Sequence, residues 1–226
     1  MGLPILFMLA GVNGAGTSSI GGHVIGGHVL VQAGLTWFKP DSFARALVDS
    51  TGCSQLDANF LAWNEGLRRL DEAVSQGRNH AFESTLGGKT RVARIEAAAR
   101  SHDVMVWYCG LATPERHVAR VKARVAAGGH DIPKAMIPER WQSSMTNLIL
   151  LLPHLAHLAH LAHLQVYDNS EEVAAGEPVP DPVLLAEMVA GGFIGPVDAQ
   201  ALRGTPDWAK PLLVAAPSLA DRAAVA

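Results

Sequence analysis

A glycine-rich loop directly follows the first apolar segment and constrains the fold more than any other feature of the sequence. The apolar run at residues 5–9 has the pattern of a buried central strand, and Gly11-Val-Asn-Gly-Ala-Gly-Thr-Ser18 comes next. The glycines allow the backbone to curl so that successive N–H groups point at phosphate oxygens. A helix that begins near Thr17 adds the positive end of its dipole. Strand, loop and helix together predict a binding site for nucleotide phosphates.

One position of this loop departs from the usual phosphate-binding pattern. The pattern is Gly, four residues, Gly, Lys and Ser or Thr, and Thr17 stands where the lysine is expected. Ser18 stands where a hydroxyl would meet Mg²⁺. A threonine can neither reach nor neutralise the β- and γ-phosphates of ATP, so the sequence predicts nucleotide binding and leaves efficient phosphoryl transfer in doubt. A tight turn without a ligand is the alternative interpretation of the glycines.

Short apolar segments alternate along the chain with longer segments of helical periodicity. Strands are predicted at residues 5–9, 80–82, 104–108 and 164–167, and helices at residues 57–76, 114–127 and 134–151. This order predicts an α/β fold, in which helices flank a parallel sheet with right-handed crossovers. Residues 171–226 are richer in Pro and Gly. We expect them to form a helical extension packed on a domain of residues 1–170.

The amino-acid composition limits which partners the protein can bind and indicates the cellular compartment in which it works. Eighteen basic and 21 acidic residues give a net charge of −3, which excludes a broadly basic nucleic-acid binder. Two cysteines, Cys53 and Cys109, are too few for a disulfide scaffold, so we expect a reducing, cytoplasmic environment. The apolar stretch at residues 148–166 contains Pro153 and four histidines, so it makes a poor membrane span.

Four further motifs follow the glycine loop in a fixed order. They are Phe38-Lys-Pro-Asp41, Phe82-Glu-Ser-Thr-Leu86, Gly128-Gly-His-Asp-Ile-Pro133 and Tyr167-Asp-Asn-Ser170. With the loop, they make residues 3–170 resemble the zeta-toxin-type P-loop kinases. The resemblance implies a P-loop kinase fold with a helical lid, ATP and Mg²⁺ as cofactors, and a hydroxyl of a small molecule such as UDP-N-acetylglucosamine as phosphoryl acceptor. Some members of the family are toxins held by an antitoxin, so it also implies an antitoxin as partner.

The resemblance also assigns roles to individual residues. It places ATP on the loop, at Gly11, Asn13, Gly14, Ala15, Gly16, Thr17, Ser18 and Ser19. Asp41 would accept the proton of the attacking hydroxyl and help to order Mg²⁺, and a helix N-cap is its alternative role. Glu83 would bind a sugar hydroxyl, and a solvated carboxylate is its alternative. Arg45 and Thr85 are secondary candidates for the same acceptor pocket.

Three arginines flank the turn at residues 128–133. In this kind of kinase a lid presents arginines to the transferring phosphoryl group, so Arg120, Arg124 and Arg140 are candidates for stabilising its charge. Arg120 and Arg124 share a helical face, and a solvated face is the alternative role for all three. The helix after the turn contains Pro138. This proline shortens the lid if the helix starts near Ile137 and kinks it if the helix starts at residue 134.

Two interpretations of function remain open. The first is a kinase of weakened activity, and the second is a catalytically decayed nucleotide-binding protein that acts through a partner. Thr17 separates them, because the kinase interpretation needs another cation near the γ-phosphate, such as Lys39 or Lys89. The sequence also repeats Ile-Gly-Gly-His-Val at residues 20–24 and 25–29, and His-Leu-Ala at residues 154, 157 and 160. Both repeats are predicted to be duplications inside helices.

Overall fold

The computed structural model of the protein describes residues 2–17, 30, 34–129, 131–156, 163–172, 180–189, 192–195 and 199–223. Ser18 and Ser19 lie outside these residues, as do the repeat at residues 20–29 and the second and third histidines of the histidine run. The other candidate site residues all lie within them.

One sheet of six strands organises the chain. The strands are β1 (Ile5–Gly11), β2 (His80–Ser84), β3 (Asp103–Gly110), β4 (His163–Asp168), β5 (Val183–Val189) and β6 (Gly192–Ile194), in the spatial order β2-β1-β3-β4-β5-β6. The first four pair in parallel, whereas β5 and β6 are antiparallel additions. The carboxyl ends of the parallel strands therefore lie along one edge of the sheet, where ligands bind in folds of this class.

Helices connect and flank the strands. They are α1 (Pro40–Thr51), α2 (Gln55–Ser75), α3 (Lys89–Ala98), α4 (Pro114–Ala126), α5 (Met136–Ala156), α6 (Ala199–Gly204) and α7 (Lys210–Ala223). Side-chain caps set two of the starts, because Ser54 accepts a hydrogen bond from the Asp57 N–H and Thr113 accepts one from the Arg116 N–H. Pro138 falls in the first turn of α5, so it shortens the lid helix instead of kinking it. Among the described residues, no helix combines the length and apolar character needed to cross a bilayer.

The sheet is buried on both faces. Alternate residues of β1 point to opposite sides, so Leu6 and Met8 join one apolar layer while Phe7 and Leu9 join the other. The layer that contains Leu6 also contains buried side chains of α5 and α7. These observations confirm the predicted α/β architecture, with a parallel sheet flanked by helices.

The part of the chain after residue 170 is more than a helical extension. It contributes α6 and α7, as predicted, and also β5 and β6, which the sequence analysis did not predict. β5 pairs with β4, and Leu212 and Leu213 of α7 are buried in the main apolar layer. Trp208 also lies over Gly110 at the end of β3, where a Cβ would collide with its indole ring.

Candidate functional site

The glycine loop has the backbone conformation that its sequence predicts. Gly14 and Gly16 adopt φ values of 89° and 88°, which side chains disfavour, and the Ala15 N–H closes a turn on the Val12 carbonyl over 2.9 Å. In the described part of the chain, the N–H groups of Asn13, Gly14 and Gly16 donate to no protein acceptor. Free N–H groups in a curled loop are what a bound phosphate requires, and within the described residues three of the four from Asn13 to Gly16 are free.

The loop carbonyls, in contrast, are held by side chains from the rest of the fold. The Ala15 carbonyl accepts hydrogen bonds from Asn169 Nδ2 at 2.8 Å and from Cys109 Sγ at 3.1 Å. Burial raises the pKa of the Cys109 thiol to about 12, so it remains a donor at neutral pH. The Asn13 carbonyl accepts a hydrogen bond from His117 Nδ1 at 3.0 Å. These three contacts fix the loop from behind.

Two arginines bring positive charge to the loop. Arg140, on α5, donates from Nη1 to the Asn13 side-chain oxygen over 2.7 Å. Burial lowers the pKa of its guanidinium, and the charge of Asp41 opposes that effect. Arg120, on α4, donates from Nη2 to the Asn169 carbonyl over 2.7 Å, and its Nη1 lies 3.8 Å from the point where a Cβ on Gly16 would stand. Both guanidinium groups therefore lie next to the phosphate loop.

Thr17 cannot supply the missing charge. Its methyl group lies 3.0 Å from the point where a Cβ on Gly11 would stand, so the side chain packs back against the end of β1. Lys39, one of the lysines named above as a replacement, forms an ion pair with Glu83 at 2.9 Å. Lys89 is exposed at the start of α3. Among the described residues, Arg120 and Arg140 are thus the cations whose contacts bring them to the loop.

The candidate general base lies at the start of α1. Asp41 is exposed in the first turn of that helix, and its Oδ2 lies 4.0 Å from Nη1 of Arg124 on α4. Lys39 occupies the N-cap position, and its side chain makes no capping bond. Asp41 also acts electrostatically on both Glu83 and Arg140. The structure therefore brings Glu83, Arg124 and Arg140 within electrostatic reach of Asp41.

The candidate acceptor residues follow β2. Burial raises the pKa of the Glu83 carboxyl, while the hydrogen bond from Lys39 lowers it. Thr85 Oγ1 and Arg140 Cγ both lie beside Gly87, at 3.5 Å and 3.3 Å from the point where its Cβ would stand. Thr85 therefore joins the cluster. Arg45 is exposed on α1, and no ion pair or hydrogen bond within the described residues ties it to the cluster.

Leu86 holds this acceptor segment in a strained shape. Its φ of 54° is the single positive value at a non-glycine position among the described residues. Asn147 Nδ2 donates to the Leu86 carbonyl over 2.7 Å, and the Leu86 N–H donates to Ser84 Oγ over 3.0 Å. Strain of this kind costs about 1–3 kcal/mol and persists where surrounding bonds enforce it, typically at ligand sites.

Several contacts of the site have no counterpart in the sequence analysis. Asn169 was part of a motif without an assigned role, and the structure places it on the Ala15 carbonyl. Cys109 and His117 bond the loop across 94 and 104 positions of sequence. The sequence around Cys109 or His117 does not indicate such a contact, because the order of the strands and helices is what brings each residue to the loop.

Comparisons with known proteins agree with this fold. No family model matches the chain, and no curated protein does. Among solved structures, the AvrRxo1-ORF1:AvrRxo1-ORF2 complex with sulphate ions matches 91% of this chain with a TM-score of 0.65 and 17% identity. The complex with ATP matches 95% with a TM-score of 0.65 and 15% identity. The PezAT toxin–antitoxin system of Streptococcus pneumoniae matches 74% with a TM-score of 0.51 and 19% identity.

The chain spans only part of these proteins. It covers 65% and 64% of the matched chains in the two AvrRxo1 complexes and 68% of the matched PezAT chain. At these identities the likeness establishes the fold alone, an α/β architecture in which helices flank a mostly parallel sheet.

Proposed function

We propose that the chain is an ATP-binding small-molecule kinase of the zeta-toxin type. It would transfer the γ-phosphoryl group of ATP to a hydroxyl of a nucleotide sugar such as UDP-N-acetylglucosamine. The observation that supports the proposal is the hydrogen bond from Arg140 to Asn13, because it holds a guanidinium against the glycine loop while the same arginine feels the charge of Asp41. ATP in one of the similar AvrRxo1 complexes supports the choice of nucleotide.

The residues present fit a polyphosphate. The N–H groups of the loop would bind phosphate oxygens, and Arg120 and Arg140 would supply the charge that a lysine supplies in related loops. A planar guanidinium can bind two phosphate oxygens at once, so an arginine placed from outside the loop is a workable substitute. Mg²⁺ would be held by the Ser18 hydroxyl with help from the Asp41 carboxylate, and it would neutralise phosphate charge.

The acceptor would bind between β2 and α1. Glu83 would accept a hydrogen bond from a sugar hydroxyl, and Lys39 would fix the orientation of its carboxylate. Asp41 would take the proton of the attacking hydroxyl while the acceptor oxygen bonds to the γ-phosphorus and ADP departs. Arg124 and Arg140 would stabilise the charge on the transferring group.

We further propose a protein partner of the antitoxin type and a cytoplasmic location. Similar structures include a toxin–antitoxin system and a two-protein complex, which supports the partner. The low cysteine content supports the reducing compartment.

Transfer can be followed directly by ³¹P NMR. The protein is incubated with ATP, Mg²⁺ and UDP-N-acetylglucosamine, and we expect a new phosphomonoester signal that Asp41→Asn reduces by about 100-fold or more. Arg68→Ala, on the exposed face of α2, is the matched surface control and should keep full activity. Absence of transfer to this acceptor and to other nucleotide sugars, with ATP bound, would remove the kinase proposal.

The alternative is a catalytically decayed nucleotide-binding protein that acts through its partner. Thr17 favours it, because its side chain packs on Gly11 and carries no charge. If only the Thr17→Lys variant transfers phosphate, the natural chain is the decayed form.

A further inference from the structure

A cavity lies against the glycine loop, with Val12 in its lining, and the candidate acceptor residues Glu83 and Thr85 are not part of its wall. Its volume is about 260 Å³, and its walls come from the end of β3, from α4 and α5, and from the segment before α7. Most of its surface is apolar. Its apolar lining includes Val12, Trp141, Met145, Ile149 and Trp208, and the imidazole of His117 also forms part of the wall.

The cavity and Arg140 lie on different faces of α5. Trp141, Met145 and Ile149 are four residues apart and line the cavity. At 100° per residue, this stripe lies about 100–180° around the helix from Arg140, which contacts Asn13 of the loop. A molecule in the cavity would therefore not need to displace the Arg140–Asn13 hydrogen bond.

His117 is the polar group that makes this cavity a specific site. The residue is fully buried, and Nε2 has no hydrogen-bond partner among the described residues. Nδ1 bonds the Asn13 carbonyl at 3.0 Å, and because a carbonyl can only accept, Nδ1 carries the proton. In a neutral imidazole the other nitrogen, Nε2, is then an acceptor with an unused lone pair. A buried polar atom without a partner is costly, so a donor from a ligand would be favoured there.

The size of the cavity sets the class of ligand. An apolar cavity of roughly 150 Å³ holds one benzene ring, so a cavity of about 260 Å³ has room for two fused rings. Gln142, Asp207 and Pro211 are exposed at its margin, which leaves a path of entry.

We infer that this cavity binds a small planar aromatic molecule that donates one hydrogen bond to His117 Nε2, and that its occupation is sensed by the phosphate loop. The coupling has a physical route, because the same imidazole bonds the Asn13 carbonyl and the His117 carbonyl lies 2.8 Å from the point where a Cβ on Gly14 would stand. A ligand that restricts the orientation of the His117 imidazole therefore also restricts the glycine loop, which this imidazole contacts. The inference does not depend on phosphoryl transfer.

Two bicyclic probes of the same shape test it. Indole has an N–H donor, and benzothiophene has none. Titrated into the ¹⁵N-labelled protein without nucleotide, both should bind, and indole should bind about tenfold more tightly. His117→Leu should abolish this preference, and Ile149→Trp, which fills the cavity, should abolish binding of both. The amide signals of Asn13 and Gly14 should shift when indole binds.

Several results would overturn the inference. One is that neither probe binds up to its solubility limit, and another is that the wild-type protein binds both equally. The inference is also wrong if His117→Leu still prefers indole. It is wrong as well if indole binds without shifting the amide signals of Asn13 and Gly14. The comparison of probes on the wild-type protein needs no variant, so a failure of either variant to fold does not remove the test. Since no ATP is present, the result is independent of the kinase proposal.

Discussion

Arg140 donates a hydrogen bond to the side-chain oxygen of Asn13 over 2.7 Å, although the two residues are 127 positions apart. Asn13 lies inside the glycine loop and Arg140 lies on the helix that follows the lid turn. The contact therefore ties α5 to the glycine loop and brings to it a positive charge that the loop itself lacks. Arg120 does the same from α4 through Asn169. We propose that these arginines supply the charge of the lysine that the phosphate-binding pattern has where this chain has Thr17.

The loop shape depends on Gly14. A Cβ there would lie 2.8 Å from the His117 carbonyl oxygen at a φ of 89°, whereas Gly77 has a φ of 59° and nothing within 4 Å. Both alanine variants place a side chain at a positive φ, which lowers the free energy of unfolding by about 1–2 kcal/mol. Gly14→Ala adds a steric clash that lowers it by about 1–3 kcal/mol more. We expect chemical denaturation to show the larger loss for Gly14→Ala, together with loss of ATP binding. Equal losses for the two variants would show that the loop is not packed against α4 as described.

The Lys39–Glu83 pair controls the charge of the acceptor pocket. Burial raises the pKa of Glu83 and Lys39 lowers it, so Lys39→Met should raise that pKa further. Because the folded protein then keeps a proton that the unfolded chain releases, the variant should lose stability as the pH rises above about 4.5. The ¹³C shift of the Glu83 carboxyl measures the pKa, and exposed Lys89→Met is the control. A pKa unchanged by Lys39→Met would show that the pair does not persist in solution.

His117 makes stability depend on pH. Burial lowers its pKa to about 4 from an ordinary value near 6.5. The unfolded chain takes up a proton in this window and the folded protein does not, so the free energy of unfolding should fall as the pH drops from about 6.5 to 4, by about 3 kcal/mol for this residue. Denaturation at several pH values should show a shallower dependence for His117→Gln than for the wild type. Parallel curves would contradict the burial of this imidazole.

The C-terminal part of the chain contributes to the main core. Leu212 of α7 is 1% exposed within the main apolar layer, whereas Val214 is 61% exposed. We expect Leu212→Ala to lower the free energy of unfolding by about 2–4 kcal/mol and Val214→Ala to change it by less than about 0.5 kcal/mol. Both should unfold in one transition. A separate early transition in Leu212→Ala would show instead that residues 171–226 form an independent unit.

Part of the fold could be predicted from the sequence because the signals are local. The apolar run of β1 and the glycines after it fix a strand and a loop without reference to the rest of the chain. Pro114 after Thr113 marks the start of α4 in the same way. β5 was missed because its two buried positions, Ala186 and Met188, follow exposed residues and a Pro- and Gly-rich segment, and its pairing with β4 depends on tertiary context.

The sequence predicted those residues of the candidate site that belong to recognisable motifs or lie beside them. Asp41 and Glu83 were named from motifs and Arg140 from its place beside the turn at residues 128–133, and the structure puts Glu83 and Arg140 within electrostatic reach of Asp41. The contacts that hold the loop were not predictable, because His117 and Cys109 reach it only through the order of the strands and helices. Residue propensity and motif spacing describe only neighbouring positions, so they do not predict contacts between residues that are distant in the sequence.

Calorimetric titration of ATP with Mg²⁺ tests the central claim most directly. The wild-type protein should bind ATP, and Arg140→Ala should weaken binding by about 10–100-fold, since it removes a charged hydrogen-bond donor from the loop. Arg68→Ala, whose side chain is exposed on α2, should bind like the wild type. If the wild type fails to bind while Thr17→Lys binds, the arginines do not replace the lysine and the account is wrong.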